Sequence, residues 1–410
     1  MKTTELKIEL IDEPELCFGH DQKATFAKDG LLWFGPIDDV QKPTTMRVGF
    51  VGSPKGMHFY QSWVKQINLP ILGAKDAAHH MPFPGFEAIF STQWPEKPVC
   101  ALTVAEKKLL ETIHIKDRHQ AIYNTVTLFE NEIRRYINEE DSGVDLWFVV
   151  IPEDVHTYGR PQSRVPGSIA GAAPAKMNTK LAKKLGAEPS LFEEDNSLAE
   201  IYHYELNFHN QLKARLLDTK AVVQVVRETT LAPEAFIVNG RETRRLQDKA
   251  SVAWNLCTTA YFKASGRPWR LANVRPGVCY VGLVFKQDET SHDTRNACCG
   301  AQMFLDSGDG VVFFFFLRPR YSSDTGEFHI PREKAQVIAE KVVEAYCRDH
   351  GHPPSELFIH GTTRLNRDEW QGFCDGVPDG TNIVSIQIRN EGRLKLYSSN
   401  DHPLARGMYL

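Results

Sequence analysis

The feature that most limits the fold is a short apolar segment, DLWFVVIP, at residues 145–152. An apolar run of this length that is stopped by a proline is typical of a buried strand. Residues 46–51 and 221–226 have the same strand-like character. Amphipathic helical patterns alternate with these strands, at residues 59–67, 119–137 and 251–263. The alternation predicts an α/β layer with a largely parallel sheet.

The segment between the second and third of these strands is less regular. Residues 153–196 are rich in proline, glycine, alanine and lysine, which predicts a loop region. Helical periodicity returns at residues 197–217.

From about Arg275 the pattern changes to closely spaced strands, predicted at residues 278–286, 301–305, 311–317, 357–360, 384–389 and 394–397. A tight turn at residues 306–310 and another around residues 390–392 join neighbouring strands. A helix is predicted at residues 332–349, with Gly351 as its end. The order β-β-β-α-β is the plan of a ribonuclease-H-like sheet. We therefore predict an α/β chain with a Rossmann-like domain at residues 1–270 and a ribonuclease-H-like domain at residues 271–410; a single large α/β domain is the alternative.

Composition excludes only a few classes of function. The 410 residues carry a formal net charge of -4, so no overall basic excess indicates nucleic acid, although a local basic pocket is compatible with it. The eight cysteines form no C-x-x-C pair, which favours reduced core thiols of a cytoplasmic protein over zinc or disulfides. The sequence contains neither a secretory signal at its start nor an apolar run long enough to span a membrane.

Four polar residues are candidates for holding a phosphate group. His209 and Lys213 are four residues apart in a helical segment and therefore share a face. Gln224 interrupts a strand of valines and needs hydrogen bonds if it is buried, and Lys263 closes a predicted helix. A lysine, a histidine and an amide that converge at an open sheet edge would suit a terminal phosphate. Each residue alone is more often found in an ordinary surface or hydrogen-bonded position, and Arg215 of the same helical segment is typical of a solvated face.

The segments that contain these candidates resemble one known family. FHNQLKARLL (208–217) and AYFKASGRPW (260–269) resemble motifs of the MID domain of short prokaryotic Argonautes, and Gln224 lies at the spacing of that family. Further similar segments run along the chain: FPGFEAIF (83–90), DLWFVVIPE (145–153), RPGVCYVGLVFK (275–286), NACCGAQMFLDSGDG (296–310) and GEFHI (326–330). The chain is similar to the MID–PIWI subunit of short Argonautes, most of all to those paired with a TIR–APAZ protein, the SPARTA systems.

The resemblance implies roles for the four candidates. It assigns the 5′-phosphate of a guide RNA to His209, Lys213, Gln224 and Lys263, and it implies Mg²⁺ at that phosphate. It also implies recognition of single-stranded DNA from invading plasmids or phages. The implied partner is an APAZ protein that forms a heterodimer with this chain, with higher oligomers on target binding. Its effector would be a TIR NADase or, as the alternative, a Sir2 domain. No G-x-G-x-x-G follows a strand here, so NADase activity is expected in the partner.

The resemblance further locates two carboxylate positions of the PIWI nuclease. Active Argonautes have the sequence G-x-D on the first strand of this domain, and this chain has Val284 in place of the aspartate. In active members a second acid follows the strand that comes after the helix, and this chain has Thr362 there. Two-metal hydrolysis requires such carboxylates, so we expect this chain not to cut nucleic acid. Two alternatives remain. A nuclease could use displaced acids, Asp288, Asp368 or Glu369, whose simpler interpretation is solvated loop acids; or the chain could be a plain α/β binding protein without nucleic acid.

Two features depart from the family pattern. Four phenylalanines at residues 313–316 replace a segment that is more polar in the family. The only structure that explains such a run is a strand buried on both faces. The chain also ends at Leu410, ahead of further PIWI elements that include a C-terminal carboxylate expected at the guide-phosphate metal. We expect either that the sequence is trimmed or that this subunit is shorter than other members of the family.

Overall fold

The structure is a computed structural model that describes residues 9–37, 44–73, 81–140, 143–166, 177–287, 297–304, 310–315, 320–322, 327–389, 397 and 407–409. The chain divides into two compact units. The first unit is Cys17–Trp269, and the second unit combines the described residues of Met1–Leu16 and Arg270–Leu410. The described residues 9–16 thus group with the second unit, whereas the predicted first domain spans residues 1–270.

The helices, in chain order, are α1 (Ala27–Phe34), α2 (Pro54–Ile67), α3 (Phe86–Phe90), α4 (Glu106–Ile113), α5 (Arg118–Glu139), α6 (Glu153–Tyr158), α7 (Thr179–Ala187), α8 (Glu193–His203), α9 (Phe208–Arg215), α10 (Glu228–Leu231), α11 (Lys249–Lys263), α12 (Arg332–His350) and α13 (Arg367–Asp375). Short 3-10 helices lie at Gly19–Asp21, Leu217–Thr219 and Pro233–Phe236.

The strands are β1 (Glu9–Leu10), β2 (Leu16–Cys17), β3 (Lys23–Ala24), β4 (Val48–Gly52), β5 (Cys100–Thr103), β6 (Leu146–Ile151), β7 (Val223–Arg227), β8 (Ile237–Val238), β9 (Arg241–Glu242), β10 (Arg270–Leu271), β11 (Val278–Gln287), β12 (Ala297–Phe304), β13 (Gly310–Phe315), β14 (Arg320–Ser322), β15 (Glu327–His329), β16 (Glu356–Gly361), β17 (Asn382–Gln387) and β18 (Met408–Tyr409).

The first unit is built on a parallel sheet with the strand order β5-β4-β6-β7. Every residue of the central strand β6 is buried, because the sheet is covered on both faces. Trp147 and Val149 pack in the cluster that includes Phe129 of α5. Phe148 points the other way and stacks on Trp63 of α2, with ring centroids 5.7 Å apart. The Rossmann-like layer that residues 145–152 predicted is confirmed.

The second unit contains a five-stranded sheet with the order β13-β12-β11-β16-β17. The three strands that come first in the chain pair antiparallel, whereas β11–β16 and β16–β17 pair parallel. Helix α12 packs its buried side, with Ile338 and Val342, against residues such as Val281 and Ile359 of the sheet. This topology confirms the ribonuclease-H-like prediction.

The irregular segment at residues 153–196 was wrongly predicted as a loop region. The structure places α6, α7 and the start of α8 there. Residues 197–217 also form two helices, α8 and α9, rather than one, because Asn207 starts α9 by accepting a hydrogen bond from the Asn210 N–H group. The α7–α8 pair has its own small core around Ala182, Ala199 and Tyr202. Such tertiary burial stabilises helices whose local sequence is only weakly helical.

Some sequence predictions lie outside the described residues. These are most of the turn predicted at residues 306–310, the turn predicted at residues 390–392, most of the strand predicted at residues 394–397, and the acid Asp288. Most of the phenylalanine run belongs to β13, but its side chains are outside the described set. In the part of the chain that the structure describes, no helix has the length and apolar character required to cross a membrane.

The packing of α12 gives a direct test of the second unit. Ile338 is fully buried, whereas its neighbour Val337 is 37% exposed on the same helix. Ile338→Ala should lower the free energy of unfolding by about 2–5 kcal/mol because it leaves a cavity. Val337→Ala, the matched control, should change it by less than about 1 kcal/mol. Chemical denaturation of the whole chain measures both, and equal effects would contradict this packing.

Candidate nucleic-acid-binding site

Helix α9 places two of the predicted residues on one exposed face. Phe208 and Leu212 are buried and anchor the helix in the first unit. His209 and Lys213, one position further along each turn, are exposed. The four-residue spacing therefore puts the imidazole and the ammonium group side by side on the solvent face.

Lys263 and Gln224 meet at the edge of the parallel sheet. Gln224 lies in β7, the last strand in the sheet order, and Lys263 is the last residue of α11. The Lys263 Nζ group donates hydrogen bonds to Gln224 Oε1 at 2.7 Å and to the Val223 carbonyl oxygen at 2.8 Å. The Gln224 amide group donates to the Val225 carbonyl oxygen at 3.3 Å. The ammonium group is thus held against an open strand edge.

Electrostatic interactions link three of these residues, and Gln224 is joined to them by its hydrogen bond with Lys263. Burial and, to a smaller extent, the charge of Lys213 together lower the pKa of Lys263 to about 8. Burial also lowers the pKa of Lys213. The pKa of His209 is lowered by burial and then by Lys213, with a smaller effect of Lys263. We call His209, Lys213, Gln224 and Lys263 the lysine cluster.

The lysine cluster has the chemistry of an anion site. Among the described residues, no carboxylate forms an ion pair with Lys213 or Lys263, so the two ammonium groups repel each other without compensation. A phosphate monoester carries about -1.5 to -2 charges at pH 7 and would compensate both. Charge-assisted hydrogen bonds to such a group are among the stronger polar contacts in proteins.

The lysine cluster does not fit a magnesium site by itself. Mg²⁺ prefers oxygen ligands such as carboxylates, and the Gln224 Oε1 atom already accepts a hydrogen bond from Lys263. Across the residues that the structure describes, no group of three or more histidine, cysteine, aspartate or glutamate side chains could hold a metal. A Mg²⁺ ion would therefore depend on the oxygen atoms of the bound phosphate.

Arg215 fixes the helix that carries this cluster, a role that the sequence analysis missed. It was interpreted as a solvated face residue, but its side chain is only 8% exposed and pairs with Glu130 of α5. Its guanidinium group also lies 4.2 Å from the centroid of the Tyr123 ring. Phe208, Leu212 and Arg215 are spaced so that all three lie on one face of a helix. The helical periodicity of the sequence therefore predicts that Arg215 is on the buried side.

The two expected carboxylate positions of the second unit lie near the carboxyl ends of the paired segments of two neighbouring strands. Gly282 of β11 is in register with His360 of β16, and the strands are parallel. Val284 follows Gly282 by two residues on β11 and is 61% exposed, and Thr362, which directly follows the end of β16, is also exposed. Valine has no metal-binding group, and the hydroxyl group of threonine is a poor metal ligand compared with a carboxylate.

One of the alternative acids has a structural role. Glu369 was interpreted as a solvated loop acid, but it is fully buried at the start of α13. Its carboxylate accepts hydrogen bonds from the Ile330 N–H group at 2.6 Å and the Asn366 N–H group at 2.8 Å, and it lies 2.8 Å from His329 Nδ1. Asp368 is exposed in the first turn of the same helix. Glu369 is therefore committed to capping α13.

Solved structures with this architecture are Argonautes. The Clostridium butyricum Argonaute bound to a guide DNA and a 19-mer target DNA matches 98% of this chain and 43% of its own chain, with a TM-score of 0.56 and 14% identity. The chain has an Argonaute MID–PIWI fold. The Marinitoga piezophila Argonaute in complex with a 5′ OH guide RNA also matches, with a TM-score of 0.48, 12% identity and coverage of 94% of this chain and 46% of its own.

The match concerns the fold, because the identities are low. This chain spans less than half the length of those Argonautes. No protein-family model matches the sequence, and no curated protein matches it.

The lowered lysine pKa predicts an unusual pH dependence. Lys263 binds an anion in its protonated form, and in the free chain its pKa is about 8 instead of 10.5. Affinity for a 5′-phosphorylated oligonucleotide should therefore fall above pH 8, by up to about tenfold per pH unit for one lost proton. A 5′-hydroxyl oligonucleotide is the control and should show a much flatter profile. Fluorescence anisotropy between pH 7 and pH 10 measures both, and identical profiles would contradict the assignment.

Proposed function

We propose that the chain binds the 5′-phosphate of a guide strand in the lysine cluster and uses the guide to recognise target DNA by base pairing. The observation that carries the proposal is the convergence of Lys213 and Lys263, with no carboxylate of the described residues paired to either, beside His209 at an open strand edge. A dianionic terminal group is the ligand that this charge arrangement favours.

The fold and the sequence resemblance support nucleic acid as the ligand. The Clostridium butyricum Argonaute, which has a similar fold, is bound to a guide DNA and a target DNA. The motifs at residues 208–217 and 260–269 resemble short Argonautes, which implies that the guide of this chain is RNA and that the target is single-stranded DNA. In such guided systems base pairing supplies the sequence specificity, and the protein contacts mainly the backbone.

The second unit would then present the guide–target duplex without cutting it. Val284 and Thr362 occupy the positions where the sequence resemblance places metal-binding carboxylates, and Glu369 is committed to a helix cap. A ribonuclease-H-like sheet that retains its core but lacks these acids suits a sensor. A second protein would respond to the pairing of guide and target on this chain.

The proposed partner is an APAZ protein that joins this chain in a heterodimer in the cytoplasm. The sequence resemblance favours a TIR effector that degrades NAD after plasmid or phage DNA is recognised, and a Sir2–APAZ partner is the second candidate. The proposal includes Mg²⁺ at the guide phosphate, where oxygen atoms of that phosphate would have to supply ligands that the lysine cluster lacks.

The first prediction tests the phosphate preference. Lys213→Ala should weaken binding of a 5′-phosphorylated guide RNA by about ten- to a hundredfold, since a charge-assisted contact is worth roughly 1.5–3 kcal/mol. Lys263→Ala should act in the same way, and binding of the 5′-hydroxyl strand should change much less. Lys65→Ala is the matched control, because Lys65 is an exposed lysine of α2. Equal losses for both strand types, with unchanged Tm, would show that the lysines do not bind the phosphate.

The second prediction concerns catalysis. Guide-loaded chain incubated with complementary DNA or RNA in Mg²⁺ or Mn²⁺ should give no product, since Val284 and Thr362 cannot hold the metals. Target-dependent NAD loss should occur only when the APAZ partner is present. Cleavage at a defined position that is abolished by Asp368→Ala or Asp288→Ala would contradict the proposal and favour a guided nuclease.

A further inference from the structure

A short chain of hydrogen bonds at the start of α9 fixes the ring of His209. The side-chain N–H group of Asn210 donates to the Glu205 carboxylate at 3.1 Å, and the Asn210 carbonyl oxygen lies 3.3 Å from His209 Nδ1. Glu205 belongs to the segment between α8 and α9. The backbone N–H group of Asn210 donates to Asn207 Oδ1 at 3.2 Å. Asn210 is therefore held through both its backbone and its side chain.

These contacts decide which nitrogen of the neutral imidazole carries the proton. A carboxylate only accepts hydrogen bonds, so the amide NH2 group of Asn210 has to face Glu205 and its carbonyl oxygen has to face His209. That oxygen also only accepts, so His209 Nδ1 carries the proton and donates it. A neutral imidazole has one proton for two nitrogens, which leaves Nε2 with a bare lone pair.

The Nε2 atom of His209 remains available to a ligand, since it makes no hydrogen bond in the part of the chain that the structure describes. The charged groups around the ring are Lys213 of α9, Lys263 of α11 and, across Asn210, Glu205. Burial lowers the pKa of His209 most, the charges of Lys213 and Lys263 lower it further, and the bond to Asn210 partly opposes them. The ring is therefore mostly neutral at pH 7 in the free chain.

We propose that His209 takes up a proton when the lysine cluster binds a terminal phosphate, and that Asn210 is the positioning residue that directs this proton to Nε2. The inference rests on the proposed function. A bare Nε2 and a phosphate oxygen are both acceptors and repel each other. A proton from the buffer acid forms the Nε2–H bond, and the imidazolium then donates a charge-assisted hydrogen bond to the phosphate. The phosphate also compensates the lysine charges that keep the free ring neutral.

Proton uptake makes phosphate binding depend on pH near neutrality. The pKa of His209 is lowered in the free chain and raised by a bound dianion, so affinity increases as the pH falls through the pKa of the bound state, until it reaches the pKa of the free state. Other groups contribute little at pH 7. Lys263, with a pKa of about 8, takes up about 0.1 proton, and a phosphate monoester, with its second pKa of about 6, releases about as much.

Calorimetry at pH 7 in buffers of different ionisation enthalpy counts the protons that accompany binding. A 5′-phosphorylated RNA should bring about half a proton or more onto the unaltered chain, and a 5′-hydroxyl strand close to none. His209→Gln retains a donor but cannot be protonated, so it should abolish the uptake. Asn210→Leu lets the neutral ring carry its proton on Nε2, so the uptake should fall by about half while the phosphate still binds. Asn255→Leu is the matched control, since Asn255 is an exposed asparagine of α11 whose amide donates to Gln247.

A purely structural role of Asn210 predicts a different result. Asn210→Leu would then weaken binding of both strands and leave the proton count unchanged, which would overturn the proposal. Nitrogen NMR of the free chain tests the tautomer directly. His209 should carry its proton on Nδ1, and Asn210→Leu should shift the proton towards Nε2. An Nε2–H tautomer in the unaltered chain would also overturn the proposal.

Inorganic phosphate separates this inference from the proposed function. If the unaltered chain shows no preference for a 5′-phosphorylated strand, the proposed function fails. An NMR titration of the His209 ring with and without inorganic phosphate still decides the inference, because the bound anion should raise the pKa of His209. An unchanged pKa at phosphate concentrations that perturb the Lys213 and Lys263 signals would contradict it.

Discussion

The ammonium group of Lys263, held against the edge of the parallel sheet, is the constraint on which the site depends. The Val223 carbonyl oxygen and Gln224 Oε1 accept its hydrogen bonds, and Lys213 adds a second positive charge nearby. No described carboxylate pairs with either lysine, so the free protein keeps two like charges together. Burial is the main reason why both lysines titrate below their usual range, and the charge of Lys213 adds to it at Lys263.

The rest of the first unit keeps this arrangement in place. Strand β6 is buried on both faces and gives β7 a rigid neighbour, so the Gln224 side chain projects from a fixed edge. Arg215 ties α9 to α5 through Glu130 and the Tyr123 ring, which orients His209 and Lys213. Breaking a buried ion pair by removing one partner is strongly destabilising. The cationic face of α9 therefore depends on an ion pair on its opposite side.

Much of this arrangement was predictable from the sequence, for identifiable reasons. The apolar run at residues 145–152 can be little else than a buried strand, and the His209–Lys213 spacing fixes a shared helical face. Helices α6 to α8 were missed because their stability comes from burial of residues such as Tyr202 rather than from local pattern. The role of Glu369 was missed because its partners are distant in sequence. Only the folded chain places Glu369 against the Ile330 N–H group.

The central claim is that the lysine cluster holds a terminal phosphate of a nucleic acid strand. The most direct measurement is an experimental structure of the chain with a short 5′-phosphorylated RNA. The account predicts the terminal phosphate within about 3 Å of the Nζ atoms of Lys213 and Lys263, the distance of a charge-assisted hydrogen bond. Clear density for the RNA with its 5′-phosphate away from both lysines, or in the same place with a 5′-hydroxyl strand, would contradict it.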